Sequence, residues 1–140
     1  MVQIGKEVGN LSNHIKRTVD AKITAISSDL TGFQSRILHF IAFCGHDVYQ
    51  RDIEEEFEIR RSSVTSVLQT MERNGLIERV SVEQDARLKK IILTTKAKEL
   101  IRRIGEVIEE FEASLMEDLS IEEITVFMQV INKMMAKLND

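Results

Sequence analysis

The sequence predicts a mainly helical α+β fold, a winged helix-turn-helix set between long N- and C-terminal helices. Three observations predict it. Apolar residues recur at helical spacing over both ends of the 140-residue chain, and proline is absent throughout. Between residues 76 and 93 the period changes to that of a short β-hairpin. Basic charge is concentrated in one internal segment: residues 59–93 hold 7 basic and 4 acidic side chains, against 6 and 9 before it and 6 and 10 after it.

In order along the chain, Ile4, Val8, Leu11, Ile15, Val19, Ile23 and Ile26 mark one long amphipathic helix. Thr31 and Gln34 form a Thr-x-x-Gln capping box that opens a second helix through Ile37, Leu38, Ile41 and Ala42 to about Gly45. A short third helix runs from about Gln50 to Phe57. A fourth starts near Arg61 and closes at Asn74-Gly75, where glycine supplies the left-handed stop. Leu76 to Val82 and Lys89 to Leu93 are rich in β-branched residues, with Glu83, Gln84, Asp85, Ala86 and Arg87 as a polar tip between them. Helix resumes at Thr94 and continues through Leu115. Ser120 and Glu123 then cap a last helix carrying Ile124, Phe127, Met128, Ile131, Met134, Met135 and Leu138.

This length suits one domain, residues 1–140, with a 31–93 lobe and flanking segments 1–30 and 94–140. No apolar run reaches the ~20 residues that span a membrane. No signal peptide is visible, and the single cysteine, Cys44, fits a reducing compartment, so a cytoplasmic location is expected.

On an ideal helix, Val64, Val67, Leu68 and Met71 fall within about 100° of one another and form a buried stripe. Ser62, Ser66, Gln69 and Arg73 cluster opposite, flanked by Thr65 and Thr70. A solvated helix face normally carries Glu and Lys, whereas serine and threonine are poor helix formers. Short polar side chains instead let a helix approach a groove closely and bond to base edges and phosphates. Arg60 and Arg61 stand at the amino end, where backbone N–H groups also attract phosphate. Ser62 and Ser63 could alternatively serve as caps alone, but capping leaves Ser66, Gln69 and Arg73 on one line unexplained. Past the hairpin turn, Arg87 suits the narrow minor groove, with Lys89 and Lys90 behind it. Asp85 could orient Arg87 or bond to the adjacent backbone. Double-stranded DNA is the expected partner, and an acidic protein partner meeting the same Ser/Arg face is the alternative.

The stretch IRRSSVTSVLQTMERNGLIERV (59–80), followed by DARLKKIILTTKAKEL (85–100), resembles the core of the MarR (multiple antibiotic resistance regulator) family. The earlier LTGFQSRILHFI (30–41) resembles that family's second helix. The Asp-x-Arg wing (Asp85, Arg87), basic Lys89 and the Leu93-Thr94 start of the next helix carry the resemblance most specifically. It implies a homodimer whose first, fifth and sixth helices interlock, with each subunit presenting a winged helix-turn-helix to half of a pseudo-palindrome. Ser62, Ser63, Thr65, Ser66 and Gln69 would then face the major groove and Arg87 the minor groove. It also implies a regulator, commonly a repressor, released by a small phenolic or other aromatic ligand or by oxidation. Two positions depart from the family pattern: Glu54, where a small alanine is frequent, and Ala97, where glycine is frequent. The acidic run Glu54–Glu56 reads as a solvated face.

An organic effector would need an apolar crevice with a few polar groups. Asn13, His14 and Arg17 are the polar residues of the first helix best placed to reach one. No metal-ligand spacing, phosphate loop or nucleophile–base pair is present, so neither a cofactor nor an enzymatic activity is expected. His39 reads as a packed core or interface histidine and Cys44 as a small buried hydrophobe.

Overall fold

A computed structural model describes residues 1–82 and 85–139, so Glu83 and Gln84 of the expected hairpin tip lie outside the described residues. The element order is α1 (Ile4–Ile26), α2 (Gly32–Phe43), α3 (Gln50–Phe57), α4 (Arg61–Arg73), β1 (Ile77–Val82), β2 (Asp85–Leu93), α5 (Thr95–Met116) and α6 (Ile121–Leu138). It is mainly helical with a two-stranded wing, as the periodicity predicts. The chain divides into two compact units, residues 1–106 and 107–140.

In the first unit one apolar core draws on every element. Ile23 of α1, Ile37 and Leu38 of α2, Ile53 of α3 and Val64, Leu68 and Met71 of α4 are buried together. Leu76, Ile77 and Ile91 of the wing join them, as do Ala97, Leu100 and Ile104 from the first turns of α5. The stripe expected on α4 is therefore its core face, with Val67 partly buried at the edge. Each of the larger side chains contributes about 1.5–3 kcal/mol by leaving water.

The helix ends follow from local hydrogen bonding. The Gln34 N–H donates to Thr31 Oγ1 and the Thr31 N–H to Gln34 Oε1, at 3.1 and 3.2 Å, which completes the capping box of α2. Gly32, just inside that cap, lies under the Asp20 carboxyl of α1. A Cβ there would sit 2.0 Å from Asp20 Oδ1. That carboxylate also pairs with Arg36 at 3.3 Å, so glycine permits the close α1–α2 approach. α4 closes where Leu76 N–H reaches back to the Met71 carbonyl (2.9 Å), and Gly75 takes φ +72°, a conformation costly for a residue with a Cβ.

The wing departs from the sequence expectation. Its second strand begins at Asp85 rather than Lys89. Pairing is regular from Ile77↔Leu93 to Ser81↔Lys89, then jumps to Val82↔Asp85, so residues 86–88 form a bulge. The interrupted pairing hides strand from an alternation test and re-aims the side chains it carries. A third backbone segment abuts the wing through the isolated bridge Val48↔Ile91.

Thr94, taken from sequence as the first residue of a helix, is instead the cap of α5. Its Oγ1 accepts from the Ala97 N–H (3.1 Å) and donates to the Gly75 carbonyl (2.6 Å), while its N–H donates to the Leu76 carbonyl (3.2 Å). Lys96 Nζ adds a bond to the Asn74 carbonyl at 2.8 Å. Along α5, Arg102 bonds to Glu99 and Glu106 on neighbouring turns. The hydrogen bond from Arg102 holds the pKa of the Glu99 carboxyl below its ordinary value against the opposing effect of desolvation, with the charges of Arg102 and Arg103 adding to the lowering.

The second unit contains the end of α5 and all of α6. Ser120 caps α6 by accepting from the Glu123 N–H at 3.0 Å, as the Ser-x-x-Glu pattern predicts. No described residue of α6 is buried: Ile121, Val126, Phe127, Met128, Val130, Met135 and Leu138 are exposed.

Thr94→Val keeps shape but removes a cap acceptor and a donor. Urea unfolding is expected to show a loss of about 1–2 kcal/mol.

Candidate nucleic-acid interface

α3 and α4 form the helix-turn-helix. The turn between them holds Glu58 in the left-handed region (φ 52°), and Ile59 N–H returns to the Glu54 carbonyl at 3.1 Å. This geometry ends α3 and lets Arg60, in extended conformation, become the cap residue of α4. Ser62 and Ser63 are therefore inside the first turn rather than at the cap. The capping alternative for these serines fails on position, because Arg60 occupies the cap and makes no side-chain bond there.

The outward side of α4 carries what its sequence places there. Arg60, Arg61, Ser62, Ser63, Ser66, Gln69 and Arg73 are all exposed. The glutamine and arginine of this face sit on the same side as the serines because all recur at three- and four-residue spacing. Such a face combines short hydroxyls that allow close approach, an amide with paired donor and acceptor, and cations at both ends of the helix. It is chemically equipped for base edges and phosphates.

Thr65 differs from its neighbours. It is only partly exposed, and its hydroxyl is engaged twice within the protein: it donates to the Arg61 carbonyl (2.8 Å) and accepts from Gln50 Nε2 (2.7 Å). Gln50, the first residue of α3, thereby fastens the start of one helix to the first turn of the next. Sequence reasoning missed Gln50, since nothing in a linear pattern pairs positions 50 and 65. Thr70 likewise turns its hydroxyl to the Ser66 carbonyl.

In the wing, Arg87 lies within the bulge and is exposed, and its backbone N–H donates to Asp85 Oδ1 at 2.9 Å. Of the two roles foreseen for Asp85, bonding to the adjacent backbone is the one observed. The carboxylate fixes the bulge while the Arg87 side chain projects. Lys89 is exposed beside it, whereas Lys90 is partly buried and pairs with Asp47 at 3.1 Å. Arg79 on β1, also missed, pairs with Glu72 of α4 at 3.4 Å.

In the acidic run on α3, Glu55 and Glu56 are exposed and Glu54 partly so, and Glu55 pairs loosely with Arg51. On α1, His14 and Arg17 line an open depression with Thr18, Ala21, Lys22 and Ala25, and Asn13 is exposed nearby on the helix without lining it. The depression is built from a single helix. His39 is exposed rather than packed in the core, with its ring 4.6 Å from that of Phe43. Cys44 is partly buried against the core, and its thiol donates to the His46 carbonyl. Among the described residues no cluster of three or more His, Cys, Asp or Glu could hold a metal ion, and no helix is long and apolar enough to cross a membrane.

The exposed polar face of α4 thus stands beside a bulged wing that carries Arg87. The MarR family model matches residues 28–88, which span α2 to the bulge. MarR from Oenococcus oeni PSU-1 is 30% identical over 96% of this chain and 99% of its own, with a TM-score of 0.65. The chain belongs to the MarR family. Its structure is also similar to that of MepR, a transcription regulator of the Staphylococcus aureus multidrug efflux pump MepA, at 27% identity, 98% and 99% coverage and a TM-score of 0.85. MepR in complex with DNA matches at 27% identity over 99% of both chains, with a TM-score of 0.77. As a MarR-family protein the chain is a DNA-binding transcriptional regulator of a non-enzymatic family.

Proposed function

We propose that this regulator binds a pseudo-palindromic operator as a homodimer, acts as a repressor, and is released by a small aromatic or phenolic effector. The observation that carries the DNA contacts is the exposed face of α4. Ser62, Ser63, Ser66, Gln69 and Arg73 have no side-chain partners among the described residues, and the equally unpartnered side chains of Arg60, Arg61 and Arg87 flank them. A row of unsatisfied short polar groups ringed by cations is suited to a hydrated polyanion with readable edges. In this reading Ser62, Ser63, Ser66 and Gln69 meet the major groove, and Arg60, Arg61 and Arg73 meet phosphates. Arg87 enters the minor groove, and Lys89 and Lys90 support it electrostatically. Thr65 acts indirectly, by holding the helix against Gln50. Repression follows physically if the operator overlaps a promoter, since a bound dimer excludes polymerase.

Exposed apolar surface supports the dimer. Ile4, Val8 and Leu11 of α1 are uncovered, as are Phe127, Met128 and Val130 of α6. Such side chains are costly to leave in water and are the material of obligate interfaces. Two-fold symmetry then places the two reading helices about one DNA turn apart, ~34–36 Å. For the effector, His14 and Arg17 supply a cation and a ring beside the apolar Ala21 and Ala25, a lining suited to an aromatic acid once a second surface closes the depression.

Four measurements test these readings. Selection of bound genomic fragments should return a site with inverted half-sites, and Arg87→Ala should weaken binding to it roughly tenfold at matched salt. Unchanged affinity in a gel shift would remove Arg87 from the interface. In sedimentation the unmodified protein should behave as a dimer and Phe127→Glu should shift it towards monomer; a monomeric unmodified protein overturns the dimer. Titration with salicylate, as a representative aromatic acid, should release DNA from the unmodified protein and do so less readily from Arg17→Ala. Equal release from both would show that Arg17 is no part of an effector site.

A further inference from the structure

A carboxylate stands beside the proposed reading face. Glu72 is on α4, one residue before Arg73, and its side chain is 48% exposed. Helical geometry puts it about 90° from the centre of the Ser62–Ser66–Gln69–Arg73 row, on the flank nearest the wing. It lines a polar cleft with Gln69 of α4 and Glu78, Arg79 and Lys89 of the wing. If α4 occupies one groove and the bulge at Arg87 the next, the intervening sugar–phosphate strand must pass over this cleft. An unscreened carboxylate there would repel it.

The structure supplies the remedy from below. Arg79 Nε lies 3.4 Å from Glu72 Oε2, and the arginine side chain is only 24% exposed, half the exposure of its partner. Its Nε and Nη2 are shut off from solvent and have no hydrogen-bond partner among the described residues. Two of its three nitrogens therefore cannot reach a phosphate, and the ion pair is made without hydrogen-bond geometry. The guanidinium is placed for its charge, under the carboxylate rather than out towards a ligand.

We infer that Arg79 is a positioning and screening residue for DNA binding: it neutralises and holds back Glu72, so that the cleft between α4 and the wing admits the phosphate backbone. The inference rests on the DNA reading given above. It differs from a direct phosphate contact in one respect that can be measured. Loss of Arg79 harms binding only while Glu72 is charged.

The test uses the full chain and a mixed-sequence duplex of about 24 base pairs, long enough for the two half-sites of ~34–36 Å spacing, followed by fluorescence anisotropy at several salt concentrations. Arg79→Gln should weaken binding by roughly five- to tenfold at low salt, Glu72→Gln should tighten it by about threefold, and the double variant should return to within about twofold of the unmodified protein. The variation should shrink as salt rises. Glu106→Gln, on α5, changes net charge equally and should leave affinity within about twofold. Should Arg79→Gln fail to fold, Arg79→Lys is expected to bind nearly as the unmodified protein, and the double variant carries the rescue. Failure of Glu72→Gln to rescue Arg79→Gln, or to restore the slope of affinity with salt, makes Arg79 a direct phosphate contact and overturns the inference. An equal gain from Glu106→Gln overturns it in favour of net charge. If the unmodified protein binds no duplex even at low salt, the DNA reading itself falls and this inference with it.

Discussion

The Thr94 hydroxyl is the node on which the DNA-binding lobe depends. It accepts the Ala97 N–H that opens α5 and donates to the Gly75 carbonyl that ends α4, while the Thr94 backbone N–H bonds to Leu76 at the entry to the wing. The end of α4, the entry to the wing and the start of α5 thus meet at one residue. Hydrogen bonds of this kind contribute only about 1 kcal/mol each, but here they share donors and acceptors, so losing one strains the rest. Lys96 adds a charge-assisted bond to Asn74, which also places a cation at the negative end of α4. The distance between the reading helix and the wing is fixed at this corner, from within the lobe.

With the corner fixed, the chemistry of the exposed surface follows from what each side chain is spared. Among the described residues the side chains of Ser62, Ser63, Ser66 and Gln69 have no partner, whereas Thr65, one flank away, spends both hydrogen-bonding roles on Gln50 and Arg61. Residues of one chemical class therefore divide between an outward face and an internal brace according to their angle on the helix. The same division holds in the wing, where Asp85 satisfies the backbone of Arg87 and leaves its guanidinium free. Of the acidic residues near the face, Glu72 is paired and Glu54, Glu55 and Glu56 lie on α3, which lowers the repulsion that a protein of net charge −4 would otherwise bring to a polyanion, while Glu78 of β1 stays exposed.

Much of this was legible in the sequence because it is local. The Thr31–Gln34 box and the Ser120 cap need only a three-residue spacing, and the α4 stripe needs only a period. The reading face came out of the same wheel, apart from Thr65, whose flank position is compatible with either role. What failed to show depends on contacts distant in sequence or on broken regularity. Asp85 was assigned to the turn because a bulge at 86–88 destroys alternation just where strand begins. Gln50 with Thr65, Arg79 with Glu72 and Lys96 with Asn74 pair across 7 to 22 positions, which no local pattern encodes. Of the core or interface site that an otherwise apolar helix suggests for His39, the core is not where it lies: α2 buries only one side, and His39 and Phe43 are off it.

The long first helix shows how periodicity and burial differ. Its apolar spacing is continuous from Ile4 to Ile26, yet only the second half is covered: Ile23 is buried and Val19 and Ile26 pack on the core, while Ile4, Val8 and Leu11 stay exposed. Nothing in the sequence distinguishes the two halves. An apolar stripe in water costs about 25 cal/mol per Å² of area left uncovered, so an uninterrupted one implies an uninterrupted cover. The fold of one chain provides that cover for Val19 onward. α6 makes the same argument more strongly, since its apolar residues have none buried at all. The homodimer proposed above would supply what both helices lack, and in that proposal the surface that completes the core would also set the spacing of the two α4 helices, which would give inverted half-sites a physical origin.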